Sequence, residues 1–405
     1  MPLVSIIIRN FNYGCFLKDA LDSALAQTYH DVEVIVVDDG STDNSREILL
    51  DYQNRCRVVL QQNGGEGAAV NVGFRHARGL IILYLDADDV LFPGTVSAVV
   101  AVWTPAVARV HFRGWIMSAD GRLFGAAVPS FEVPSLSLEE QLEQFGQVVS
   151  GSQSCNAYAA WALRRILPLA ANEWMRAPDT YLNALTTAQG ETRLIQSPLV
   201  ACRRHSCNLS LCNSQSIGYR DDIVLVHPRQ NEAVRRLIGD DRWAKVRLCY
   251  PTNHWLNRIL CLRLNPNHPF AGDRLTSLMV AAAYAIAHRP HIRVSRQIFL
   301  FCGMLVIASM PRAALRRLLR PLLSAARRTA LPWAVARATP IPGEVEVRHW
   351  RAIHGVDSMG RHRQVTGITS VEAACNEASQ ENYASSSWRA VVTTGSTAEA
   401  QLNQH

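Results

Sequence analysis

The sequence predicts an α/β protein built on a Rossmann-like, mainly parallel sheet flanked by helices. Three observations predict it. Short β-branched runs alternate with amphipathic stretches from residue 3 to about 100, two of these runs end in carboxylate-rich turns, and 48% of the 405 residues are apolar against 19% charged.

Val4–Ile8 reads as the first buried strand and Phe16–Ala26 as a helix. Val32–Val37 is the second strand, running into Asp38-Asp39-Gly40-Ser41, and a helix follows from Ser45, which can cap it. Val58–Gln61 reads as a third strand, Gly67–Ala77 as a helix, and Leu80–Leu85 as a fourth strand ending in Asp86-Ala87-Asp88-Asp89. Such alternation implies right-handed crossovers, with ligands bound beyond the carboxyl ends of the strands.

The pattern weakens after residue 105. Ala108–Met117 with Asp120-Gly121 reads as a hairpin, and Leu138–Phe145, Asn156–Ile166 and Asp179–Ala188 read as helices. Residues 206–270 yield no firm reading. Two apolar stretches follow, Leu278–Ala287 and Ile298–Met310; both are too short for the ~20 residues a bilayer-spanning helix needs. Beyond Pro340 the composition turns polar. The expected organisation is a catalytic domain over 1–215 (a nucleotide-binding half 1–103, an acceptor half 104–215), a helical extension over 216–335, and a polar, disordered tail over 336–405.

The formal net charge is +7, almost all of it arginine, since Lys18 and Lys245 are the only lysines. Arg312, Arg316, Arg317, Arg320, Arg327 and Arg328 cluster within 17 residues, interleaved with leucines. That combination suits an interfacial helix, so 298–328 is a candidate membrane-surface contact, with a helix packed on the domain as the equal alternative. Leucines in place of exposed aromatics argue against nucleic acid. The ten cysteines form no Cys-x-x-Cys pair, and the steps from Cys202 to Cys207 to Cys212 suit no common metal loop. With no signal-peptide pattern at the N-terminus, a cytoplasmic location is expected, peripheral on the membrane if 298–328 binds it.

The chemistry concentrates at two strand ends. Asp86 and Asp88 are the sequence's only Asp-x-Asp, and carboxylates there supply hard oxygen ligands for Mg²⁺ or Mn²⁺ on a diphosphate. Asp38 and Asp39 can accept hydrogen bonds from a nucleobase or ribose, with Gly40 allowing close approach. Asn63-Gly64-Gly65-Glu66-Gly67-Ala68-Ala69 is a glycine-rich loop before a helix, able to cradle a phosphate or to let helix and strand pack closely.

Together these residues resemble glycosyltransferase family 2. The resemblance is carried by Val4–Asn12, Ser23–Tyr29, Val34–Asp43, Asn63–Gly73 and Leu85–Asp89, five segments in family order. It implies a GT-A fold, an inverting transfer of one sugar from a UDP-, GDP- or dTDP-sugar to a saccharide, lipid-linked or protein hydroxyl, and a role in cell-surface or extracellular polysaccharide synthesis. It further implies donor contacts at Asn10, Asn12, Asp38, Asp39, Gly65, Asn71 and Asp86, with Asp39 on the base, Asp86 at the ribose or diphosphate, and Asp88, with Asp86, on the metal. Arg203-Arg204-His205-Ser-Cys-Asn208 matches the segment that folds over the diphosphate, which makes Arg204 and His205 donor residues. Asp179, at the start of a helix, matches the catalytic base. Two departures stand out: Arg9 where the family has proline, and Pro178 in place of the first acid before Asp179. A non-catalytic membrane-associated scaffold and a sugar nucleotidyltransferase are the alternative readings.

Overall fold

A computed structural model describes residues 1–129, 135–205, 208, 217–246, 250–265, 268–287 and 294–318. Four strands, β1 (Val4–Asn10), β2 (Val32–Asp38), β3 (Arg57–Leu60) and β4 (Ile81–Asp86), lie parallel in the order β3-β2-β1-β4. Helices α1 (Gly14–Leu25), α2 (Ser45–Tyr52) and α3 (Glu66–His76) make the crossovers. Both sheet faces are covered. Ile6 and Ile8 meet Leu17 and Leu21, while Ile7 meets Val70 and Tyr84, which is why β1 is apolar at every position from 6 to 8 rather than alternating. Ser45 does not cap α2; Asn44 holds the cap position, and Asp43 Oδ1 accepts the Ser45 N–H at 3.0 Å.

The second half departs from the simple alternating pattern. After β5 (Val90–Leu91) and α4 (Thr95–Ala101), β6 (Val107–Ser118) and β7 (Leu123–Val128) form the expected hairpin, turning through Gly121 at φ +85°. Helix α5 (Leu138–Phe145) starts at a Ser137/Glu140 capping box. The helix expected over Asn156–Ile166 is instead strand β8 (Asn156–Ala159) followed by the short helix α6 (Ala160–Arg164). β8 is inserted antiparallel to both β4 and β6, so pairing on two edges outweighs local helical spacing. Helix α7 (Pro178–Thr187) and the 14-residue strand β9 (Glu191–Arg204) complete the sheet; β9 runs parallel to β6 and antiparallel to β5. The sheet therefore passes without a break through the division expected at 103/104.

The C-terminal part is helical: α8 (Ile217–Ile238), α9 (Asp240–Trp243), α10 (Thr252–Leu264), α11 (Leu275–Ala287) and α12 (Val294–Ser309). Ile259, Leu278, Ala282, Ile286 and Met304 form a separate small core between α10, α11 and α12. The tail 336–405 and the part of 298–328 beyond residue 318 lie outside the described residues. Among the described residues no helix is long and apolar enough to cross a membrane.

Candidate active site

The carboxyl ends of β1 and β2 are tied together by buried polar groups. Asn10 Nδ2 donates to Asp38 Oδ1 (2.8 Å) and Ser41 Oγ (3.1 Å), and Asp38 Oδ2 accepts from the Ser41 N–H (3.2 Å) and Arg46 Nε (3.4 Å). The Asp38 side chain has no exposed surface. Asn12, at φ +58°, accepts the Thr42 N–H at 2.7 Å. Asn10, Asn12 and Asp38 thus brace the loop that shapes the crevice. Asp39 accepts from the Gly64 (2.8 Å) and Gly65 (2.9 Å) N–H groups and from Gln61, and burial raises its pKa. A Cβ on Gly40 would fall 2.7 Å from Asn63 N, so this strap requires glycine there.

The glycine-rich loop is packed, not open. Gly65 sits at φ +83°, the Glu66 N–H donates to Met175 O (3.1 Å), and a Cβ on Gly67 would meet Trp174 O at 2.4 Å. Asn71 reaches across to the same segment, donating to Leu169 O (2.9 Å) and accepting the Leu169 N–H (3.0 Å). Of the two uses open to the loop, close packing is the one seen. Its effect is to hold α3 against the chain leading into α7, which aims Glu66 and Asp179 at one place.

Arg9 occupies that place. It lies opposite Asp86 in the β1–β4 register, its side chain only 8% exposed, with Nη2 bonded to Asp86 Oδ1 and Nη1 3.7 Å from Glu66 Oε2. Burial opposes its charge, but Asp86 and Glu66 outweigh this and raise its pKa. The acids respond to the same setting. Burial pushes Glu66 up to about 7 despite Arg9, and burial raises Asp86. Burial and then the Asp86 charge raise Asp179. Asp179 lies in the first turn of α7, behind Pro178 and a left-handed Ala177 at φ +53°. Such strain in a non-glycine residue is a feature of functional sites. Asp86 also accepts from Ser152 Oγ at 3.1 Å.

Asp88 belongs to a second group. The segment turns immediately after β4, with the Asp89 N–H donating to Asp86 O at 3.0 Å, so the extended spacing that would aim Asp86 and Asp88 at one point ends at Asp86. Asp88 Oδ2 instead lies 2.9 Å from His205 Nε2 and accepts from Asn208 Nδ2 at 2.8 Å. His205 packs on Phe16 and Tyr13, with ring centroids 4.4 and 5.6 Å away. Arg203 locks the arrangement: Nε donates to Asp88 O (2.8 Å), Nη2 to Asp19 Oδ2 (2.6 Å), and its N–H to Asp89 Oδ1 (2.8 Å). Arg204, the next residue along β9, is on the opposite strand face from this network.

Asp88 Oδ2 and His205 Nε2 are bonded to each other and to Asn208 Nδ2, and they are the pair whose oxygen and nitrogen chemistry suits a divalent ion. Among the described residues no three His, Cys, Asp or Glu side chains are grouped so as to hold a metal ion, so water and donor oxygens would complete the shell.

Sequence reasoning missed Glu66, Ser152 and Arg203 as site residues. Glu66 was visible within the glycine-rich segment, and Arg9 as a departure from the family pattern. Nothing local marks Ser152, which reaches Asp86 only through the fold.

Residues 5–114 match the family model described as glycosyl transferase family 2. An uncharacterised glycosyltransferase of Nostoc sp. is 33% identical over 218 residues, 51% of this chain and 66% of that protein. One of Rickettsia prowazekii is 43% identical over 96 residues, 24% of this chain and 30% of its own length. The chain thus spans less than two thirds of each of these relatives. Among solved structures, residues 1–349 of S. aureus TarS with UDP-GlcNAc align over 80% of this chain and 87% of that one, at 17% identity and a TM-score of 0.44. The motif-bearing half of the sheet, with its two carboxylate-bearing strand ends, is a glycosyltransferase family 2 domain.

Proposed function

We propose that the chain transfers one sugar from a nucleotide-sugar donor to a hydroxyl acceptor with inversion, in the synthesis of a surface polysaccharide or glycoconjugate. The observation that carries the reading is the meeting of Arg9, Asp86 and Glu66 with the Asp179 helix start beyond the ends of parallel strands. Asp179 has the position and the raised proton affinity expected of a general base. It takes the acceptor proton as the acceptor oxygen bonds the anomeric carbon and the bond from that carbon to the diphosphate breaks. Arg9 Nε and Nη1 are buried and make no hydrogen bond, leaving donors suited to an oxygen of the donor substrate.

Mg²⁺ or Mn²⁺ held by Asp88 and His205 would neutralise the departing diphosphate. The imidazole ligand favours Mn²⁺ over Mg²⁺. Asn10, Asn12, Asp38 and Asp39 keep the crevice in shape for the nucleotide. The reading is tested by incubating the purified protein with UDP-, GDP- and dTDP-sugars and Mn²⁺, measuring nucleoside diphosphate release and the anomeric configuration of any product. A folded protein inert toward all of them overturns it, and a retained anomer removes the direct displacement.

A further inference from the structure

We propose that the α11–α12 hairpin is an in-plane docking surface for an anionic lipid bilayer. The proposal stands independently of the glycosyl-transfer reading. The hairpin packs on α10 through Leu278, Ala282, Ile286 and Met304 and exposes apolar side chains elsewhere, on α11 at the rim of a groove with Trp255 and on α12 along its outer side. Val280 and Tyr284 on α11 are 72% and 58% exposed, and Ile298, Phe299 and Val306 on α12 are 59%, 76% and 51% exposed. On α12 the bare positions 294, 298, 302 and 306 recur every fourth residue, so one apolar stripe runs nearly the length of the helix, about 24 Å at about 1.5 Å per residue. Neither Leu275–Ala287 nor Gln297–Met310 contains a charged residue. Soluble surfaces seldom leave apolar side chains contiguous over such a span.

Charge decides what covers it. Between Asp273 and Glu344 the sequence holds no acid and eleven arginines, and Asp273 itself is paired with Arg258 and His268. Directly after α12, residues 312–318 are helical, with Leu315 fully buried against Leu260 and Leu264. That anchor turns Arg312, Arg316 and Arg317 outward, all exposed, at the end of the stripe. Within the candidate contact 298–328, the described apolar element is the hairpin's α12, ahead of the leucines interleaved with the arginines. An apolar face with a basic rim matches acyl chains beneath anionic headgroups. A second copy related by a two-fold axis would set like-charged rims against each other, and nucleic acid would have no use for the stripe.

The test is flotation of the full chain with phosphatidylcholine vesicles, with and without phosphatidylglycerol. The protein is expected to float with the anionic vesicles alone. Replacing Arg312, Arg316 and Arg317 by Gln is expected to weaken partitioning about a hundredfold, since each is worth about fivefold at a surface. The Phe299→Ser, Val306→Ser pair is expected to abolish flotation with the melting temperature and donor hydrolysis unchanged, because both side chains are exposed and neither belongs to the strand-end site. Three outcomes overturn the proposal: no association with anionic vesicles, equal association of wild type and the Phe299/Val306 variant, or a stable dimer in light scattering that this variant dissociates.

Discussion

Arg9→Met is the most informative single change, because it removes the one cation shared by the site acids while keeping most of the apolar stem. At an effective dielectric constant of about 20, the Arg9–Glu66 contact at 3.7 Å is worth about 4–5 kcal/mol of Coulomb energy before desolvation. Breaking a buried pair typically costs about 3–5 kcal/mol. Side-chain exposures of 30% at Asp86 and 29% at Glu66 place this case at the low end, about 3 kcal/mol at pH 8. The sign with pH follows from the acids. Asp86, Glu66 and Asp179 all have folded pKa values raised above their ordinary ones, so their contribution to stability is fully present below the ordinary carboxylate range. It is lost as pH rises through the folded values, with Glu66 at about 7. Arg9 limits that loss. Without it the acids keep their protons to higher pH, and the gap between wild type and variant widens from about 1 kcal/mol at pH 5 to about 3 at pH 8. Thermal melts at both pH values, in low salt, should show the variant about 6–12 °C lower at pH 8 and only about 2–4 °C lower at pH 5. A gap of equal size at the two pH values would show that Arg9 acts by packing rather than by charge, and the electrostatic account fails.

Asp179→Asn should lower turnover by about 10²–10⁴-fold while donor affinity is retained, and unchanged turnover removes it as the base. Asp88→Ala should abolish the extra thermal stabilisation that Mn²⁺ gives in the presence of nucleoside diphosphate, while the nucleotide-only shift persists; a retained Mn²⁺ effect places the ion elsewhere. Asn71→Ala should cost about 1–3 kcal/mol of stability by stripping both bonds to Leu169, with the donor dissociation constant within about twofold of wild type. Isothermal titration showing a large affinity loss in a fully stable variant would return Asn71 to the donor site.

Much of the first half was legible because its signals are local. Val4–Ile8 and Val32–Val37 are apolar on both faces, which marks strands buried on both sides, and the acids at their ends follow from where such sheets bind ligands. β8 was not legible: four residues, Asn156–Ala159, gain their identity from two neighbours far away in sequence. The long strand β9 escaped for a similar reason. Its first half mixes exposed and half-buried positions, with Leu194 and Ile195 among polar residues, so it lacks the apolar run that identified the earlier strands, and its register shifts twice around Arg113. In the site, Asp88 and His205 were each named, but their direct contact depends on the turn after Asp86 and on Arg203, neither of which spacing reveals. The sharing of Arg9 by Glu66 and Asp86 was equally invisible, because a glycine-rich loop reads as open until Trp174 and Met175 are seen filling it.

The uninterrupted sheet has a mechanical consequence. Because β8 is hydrogen-bonded to β4 on one edge and β6 on the other, the parallel half of the sheet and its mixed half form one stiff plate rather than two lobes on a hinge. A rotation of one half against the other would break a ladder in the middle of the core. Any closing movement around a substrate must therefore lie outside this ladder, and the spacing of the β1 and β4 ends is set before a substrate arrives.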